Sequence, residues 1–159
     1  ELILFNNCNL KRKINFNLSK DSNLLLCENI IFGRTSMKEE FEKGYFSDFW
    51  NINIDKKLIH TEAINTGLFE KKYLNSFSTL NNNSAVATII IVGNKFLNNV
   101  NNLSETLTNN ENTTSNYSHW DNKLIVRLLS KDSYNLKFAI DKILSYFFEG
   151  SKIPKVWNI

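Results

Sequence analysis

The sequence predicts a mainly-β fold, a multi-stranded β structure with two α-helices in the C-terminal third of its 159 residues. Three observations lead there. Residues 10–18 alternate between apolar and polar side chains, the period-two mark of a half-buried strand. Ala85–Val92 reads AVATIIIV, a β-branched apolar run closed by Gly93. Residues 136–148 instead place apolar side chains at i, i+3, i+4 and i+7, the stripe of an amphipathic helix.

The elements follow in order. Glu1 leads without an initiator Met into the apolar Leu2-Ile3-Leu4-Phe5, as expected of a piece cut from something longer. In residues 10–18, Leu10, Ile14, Phe16 and Leu18 share one face and Lys11, Lys13, Asn15 and Asn17 the other; Arg12, on the apolar face, is the exception. Residues 23–32 (NLLLCENIIF) form a longer apolar run that suits a strand covered on both faces. Residues 44–54 are aromatic and β-branched, Asp55-Lys56-Lys57 makes a turn, and residues 58–64 pair back as a hairpin.

After Ala85–Val92, Phe96, Leu97, Val100, Leu103 and Leu107 recur at helical spacing and predict the first late helix. Residues 109–116 are polar and turn-rich, a surface loop, and residues 123–129 (KLIVRLL) another strand. The second helix covers residues 133–149. Asp132-Ser133 offers its N-cap, and Leu136, Ala139, Ile140, Ile143, Leu144, Phe147 and Phe148 form its stripe, which reads as core. Gly150 stands where a C-cap glycine belongs, with Pro154 beyond. With no internal repeat and no linker, residues 1–159 read as a single unit.

Composition narrows the function. Aromatics at 13% argue against disorder. A net charge of +3 with dispersed lysines lacks the basic stripe of a nucleic-acid binder, so no nucleic-acid partner is expected. No run approaches the ~18 apolar residues of a membrane span. Cys8 and Cys27 have no CxxC partner and read as reduced thiols, which places the chain in the cytoplasm. The 26 Asn, and 16 Lys against 3 Arg, fit a bias of base composition.

No motif demands an enzyme. His60 and His119 lack a second ligand at metal spacing; there is no G-x-S-x-G elbow, P-loop or G-x-G-x-x-G. Glu39-Glu40 and Glu42 read as a solvated charged turn. No catalytic, cofactor-binding or metal-ligating residue is therefore assigned. What remains is a set of isolated groups: Arg34 after Gly33, Asp48 two before Trp50, Trp120-Asp121, Arg127 within an apolar strand, and Pro154 before Trp157. In a Lys-dominated chain, an Arg marks a need for the planar bidentate fork. Buried and unpaired it would cost several kcal/mol. Two readings stand side by side: an internal ion pair, with Glu28, Glu39 or Asp48, or a partner-binding or passage-lining role.

These residues also carry a resemblance. Residues 28–50 (ENIIFGRTSMKEEFEKGYFSDFW) resemble the segment G-R-T-A-M-G-E, then glycine, then D-x-W of the urease accessory protein UreD family, called UreH in some organisms. Gly33, Arg34, Thr35, Met37, Glu39, Gly44, Asp48 and Trp50 fall on family positions. Ala85-Val86-Ala87-Thr88 resembles the family's A-x-A-T, Trp120-Asp121 with residues 124–129 its W-D-G-x-x-x-x-R-L-L, and Ile153-Pro154-Lys155-Val156-Trp157 its L-P-R-x-W ending. Even the opening resembles a mid-protein Q-E-T-I-L-F, so the chain looks like the C-terminal half of a longer member, with open strand edges that would pair or aggregate in isolation. Lys38 and Asn122 stand where the family has glycine, and Lys155 where it has Arg. If a positive φ is needed at those glycine positions, Asn is tolerated and Lys is not.

The resemblance implies a non-enzymatic maturation factor of mainly-β fold. It would bind UreF, recruit the GTPase UreG, dock on apo-urease and assist nickel delivery, with nickel handled in transit and no tightly bound cofactor. It adds Glu39 to the candidate set, and makes residues 133–149 and 154–159 the docking surface for UreF, with Trp157 as interface anchor or core residue. Two other readings are a hydrolase whose catalytic residues lie in a missing N-terminal half and a generic β-rich interaction domain. An upstream nucleophile motif would favour the first; urease structural genes beside this one would disfavour the second.

Overall fold

A computed structural model describes residues 1–34, 37–97, 100–149 and 152–157, with the backbone alone at Phe69. The architecture is mainly β, as expected: among the described residues there are eight strands in two sheets, and α-helices that include the long one near the C-terminus. The chain parts into two compact units, residues 1–22 with 31–82 and residues 23–30 with 83–159. The sequence shows no linker because one crossing falls inside a strand, β3 (Leu24–Phe32).

The first unit holds β1 (Leu2–Leu4), β2 (Asn9–Leu18), β4 (Lys43–Ile54), β5 (Lys57–Glu70) and α1 (Lys71–Asn75). Its three-stranded sheet runs β2-β4-β5, with β2 parallel and β5 antiparallel to β4. The turn Asp55-Lys56 has φ of 47° and 67°, and Ile54 pairs with Lys57: a two-residue hairpin whose twist matches its strands. β2 alternates exposed and half-buried residues along its whole length, so Arg12 does share the inner face with Leu10 and Ile14. Opposite it, β4 buries Phe46, Asp48, Trp50 and Ile52. On the outer face asparagines pair across strands: Asn51 Nδ2 donates to Asn15 Oδ1 (3.0 Å) and Asn53 Nδ2 to Asn17 Oδ1 (3.1 Å). α1 is a further helix that the sequence does not signal, being too short to carry a helical stripe.

The second unit holds most of β3, β6 (Ala85–Val92), α2 (Asn94–Leu97), α3 (Leu103–Thr106), β7 (Thr113–Trp120), β8 (Lys123–Ser130) and α4 (Ser133–Phe148). Within this unit the strands lie in the order β3-β6-β8-β7, with β6 and β7 both antiparallel to β8. β6 is the strand buried on both faces; β3 is only half-buried until Ile30, which corrects the expectation for residues 23–32. α4 buries Leu136, Ala139, Ile140, Ile143, Leu144 and Phe147 against the sheet, while Phe148 is half-buried. Asp132 is its N-cap: Oδ1 accepts the Asn135 N–H at 2.8 Å. The left-handed cap residue is Glu149 (φ 46°); the expected C-cap, Gly150, lies outside the described residues.

Two expectations change here. In place of one helix over residues 96–107, the described residues form α2, a 3₁₀ turn (Val100–Asn102) and α3, in a stretch rich in asparagine, a residue that favours caps and turns, though Val100 and Leu103 stay buried. The loop at residues 109–116 ends early, since β7 begins at Thr113. Its hydroxyls hide the signal. Thr113 Oγ1 and Ser130 Oγ lie 3.0 Å apart, and Ser115 Oγ donates to the Thr108 carbonyl. Asn110 and Asn109 side chains accept the Thr113 and Ser115 N–H groups at 2.8 Å each, capping the outer edge of the sheet.

Candidate functional site

In the first unit the structure brings the predicted residues together as two clamps. The turn after β3 folds Arg34 back on Glu39: their backbones form an isolated bridge, and Arg34 Nε donates to Glu39 Oε2 at 2.7 Å. The guanidinium also lies 4.2 Å from the Phe5 ring centroid. Glu39 Oε1 accepts the Asn6 N–H at 2.7 Å. That backbone donor first, and the Arg34 guanidinium second, hold the Glu39 carboxyl below its ordinary value. Gly33 permits the turn. It sits at φ 86°, and a Cβ there would meet the Glu39 carbonyl and Phe41 nitrogen at 2.9 Å. Lys38 has φ 57°, the strained conformation expected of the residue that replaces the family glycine.

The second clamp lies on the sheet. Asp48 is 3% exposed and takes a bidentate pair from Arg12, Nε to Oδ1 at 2.9 Å and a terminal nitrogen to Oδ2 at 2.5 Å. The two residues are register partners across β2 and β4. Trp50, two residues on, is also buried; the Arg12 guanidinium lies 5.8 Å from its ring centroid and Phe16 meets it edge-on at 6.4 Å. Trp50 Nε1 is buried without a hydrogen-bond partner. On β5, Glu62 stands beside Trp50 and His60 beside Ile52, with His60 Nε2 3.5 Å from Glu62 Oε2. Arg12 is a functional candidate that no motif in the sequence marks. Its break in the alternation of β2 was the signal.

In the second unit Trp120 and Arg127 line one groove. β7 and β8 meet at a hairpin whose turn, Asp121-Asn122, has φ of 47° and 58°, so the glycine position here does need a positive φ and Asn122 supplies it. Trp120 is 42% exposed with the Lys123 ammonium 4.8 Å from its ring centroid. Arg127 is exposed, which corrects the expectation of an Arg buried in an apolar strand: Val126 and Leu128 turn inward while Arg127 turns out. One terminal nitrogen donates to Thr88 Oγ1 at 3.0 Å.

The tail differs. Pro154 is exposed and opens a 3₁₀ turn (Lys155–Trp157), its carbonyl accepting the Trp157 N–H at 3.0 Å. The Trp157 ring packs 6.1 Å from Phe148, which meets Phe96 at 6.2 Å, so Trp157 joins an aromatic cluster of its own unit.

Burial pushes the Cys27 thiol up to about 12 and raises Cys8 as well, which keeps both protonated at neutral pH. Among the described residues no three His, Cys, Asp or Glu gather as a metal site, and no helix is long and apolar enough to cross a membrane.

Comparison with known proteins identifies the lineage. A family model described as UreD urease accessory protein matches residues 1–158. Urease accessory protein UreD of Rhizobium leguminosarum bv. viciae is 32% identical over 162 residues, covering 100% of this chain and 57% of the relative. That of Rhizobium leguminosarum bv. trifolii strain WSM2304 is 30% identical with the same coverage. The Granulibacter bethesdensis protein is 40% identical over 91 residues, 57% of this chain and 38% of the relative. The chain thus spans a little over half the length of the full-coverage relatives, and with the motif residues in place along it, it belongs to the UreD urease accessory protein family.

Proposed function

We propose that the protein is a non-enzymatic urease maturation factor. It acts as a scaffold that joins the accessory proteins UreF and UreG on apo-urease in the cytoplasm and assists the passage of nickel, as cargo, to the urease active site. The observation that carries this reading is the match to the UreD family over residues 1–158. The surface is compatible with a scaffold. The outer ridge of α4 exposes Tyr134 (80%) and Phe138 (56%) one turn apart, and the tail exposes Pro154 and Val156. We assign this ridge and the neighbouring tail to UreF. Trp157, packed on Phe148, would brace that surface rather than anchor the partner. The test is deletion of the full-length gene in a host expressing its urease operon with nickel. Urease activity is expected to fall and to return on complementation; normal activation in the deletion strain would overturn the reading.

A further inference from the structure

We infer that the groove beside Trp120 and Arg127 receives an acidic side chain, Asp or Glu, from a partner protein in the maturation complex. The inference rests on the scaffold reading above and gives one of its contacts a chemistry. The groove has a volume of about 280 Å³ and is lined by Asn116, Tyr117, Ser118, Trp120, Ile125 and Arg127. Cross-strand register explains the grouping. Asn116 faces Arg127, Ser118 faces Ile125 and Trp120 faces Lys123, so side chains far apart in sequence share one face of the hairpin.

Three features select the occupant. None of the six lining residues carries a carboxylate, while Arg127 brings an exposed guanidinium, so the charge of the groove complements an anion. The Thr88 hydroxyl steadies that guanidinium from β6, which lowers the entropy lost when a partner docks. Trp, Tyr and Arg are also the residues that dominate binding at protein interfaces.

The sheet edge decides how the partner enters. β7 is a terminal strand, where an added strand would ordinarily dock. Asn110, Asn109 and Asn116 side chains already accept the N–H groups of Thr113, Ser115 and Tyr117. Those three donors are thereby taken, which disfavours main-chain pairing over residues 113–117 and leaves recognition to the side-chain groove.

The experiment uses the full-length protein co-purified with its co-expressed accessory proteins and urease. Ser118, exposed at the groove, is replaced by the photocrosslinker p-benzoylphenylalanine, which leaves Arg127 and Trp120 in place. The crosslinked partner peptide is expected to contain Asp or Glu. Arg127→Glu is expected to weaken partner binding about tenfold or more, in the range of a lost interfacial charge pair. Arg127→Lys should weaken it less, and Arg substituted for the crosslinked acid should restore binding to Arg127→Glu. The inference is overturned by an assembled complex without a crosslink, by a crosslinked peptide lacking an acid, or by Arg127→Glu binding that stays within about twofold of wild type. Those outcomes leave the scaffold reading intact, because the complex has formed; only normal urease activation without the protein removes that reading.

Discussion

The unit around α4 and the unit around β4 solve the same packing problem with different chemistry. In the first, helix and sheet bury Leu124, Val126, Leu128, Leu136, Ala139, Ile143 and Leu144, and the buried polar groups are the hydroxyls of Thr88, Thr113, Ser115 and Ser130 with the Lys123 ammonium. In the second, the inner face of a three-stranded sheet carries Asp48 beside Arg12, with half-buried His60 and Glu62 on the next strand. A dry core contributes stability in proportion to the apolar area removed from water. A buried ion pair contributes little net stability, because desolvation offsets its attraction, yet losing one partner is costly. Its use here is registry: a one-residue slip of β2 on β4 would part Arg12 from Asp48 and turn every side chain over.

That contrast can be broken at its strongest point. Ile143→Ala removes a fully buried side chain from the dry core and is expected to cost about 3 kcal/mol in chemical denaturation. Asp48→Ala strands the Arg12 charge, and since Arg12 keeps 27% of its side chain in water the cost is expected at about 2 kcal/mol. The informative case is the double variant Arg12→Leu with Asp48→Leu. It should recover most of that loss, and a double variant as unstable as Asp48→Ala would show that the pair stabilises rather than specifies.

A smaller effect is expected at the Arg34 clamp. Lys38→Gly relieves a left-handed lysine and should raise stability by about 0.5–1 kcal/mol, after the unfolded-state entropy of glycine is deducted. A loss of stability on that substitution would mean the lysine side chain is itself held. The smallest effect is pH-dependent. Glu39 is held below its ordinary value of 4.5, so its contribution is present above that value and is lost as pH falls through the lower folded-state pKa. Melting temperatures of wild type and Glu39→Gln should differ at pH 7 and converge in acid; a gap that persists below that pKa would contradict the assignment.

Much of this architecture was legible. β2, β6, β8 and α4 announce themselves because a half-buried strand repeats every two residues and a packed helix every 3.6. β7 does not, because a polar edge strand reads like the loop that caps it. The asparagine excess, which reads as base composition, also has structural uses: Asn109 and Asn110 cap an edge, and Asn15 with Asn51 bridges two strands. Of the candidate residues, the unusual Arg and Trp positions were visible in the list of amino acids, and Glu39 stands among the ion-pair partners the sequence offers and does meet Arg34, whereas the pairing of Asp48 with Arg12 and the Thr88 contact of Arg127 were not visible.

The sequence by itself determined the mainly-β character, a turn at Asp55-Lys56-Lys57, the capped helix at the C-terminal end and the family motifs. All of these are encoded within about a dozen neighbouring residues, where sterics and periodicity act. Tertiary structure alone decided that Arg12 meets Asp48 across 36 residues of chain, that Arg127 faces outward, and that Trp120 shares its groove. Charge pairing and burial depend on which strands become neighbours, and that is settled by the competition among all apolar faces for cover.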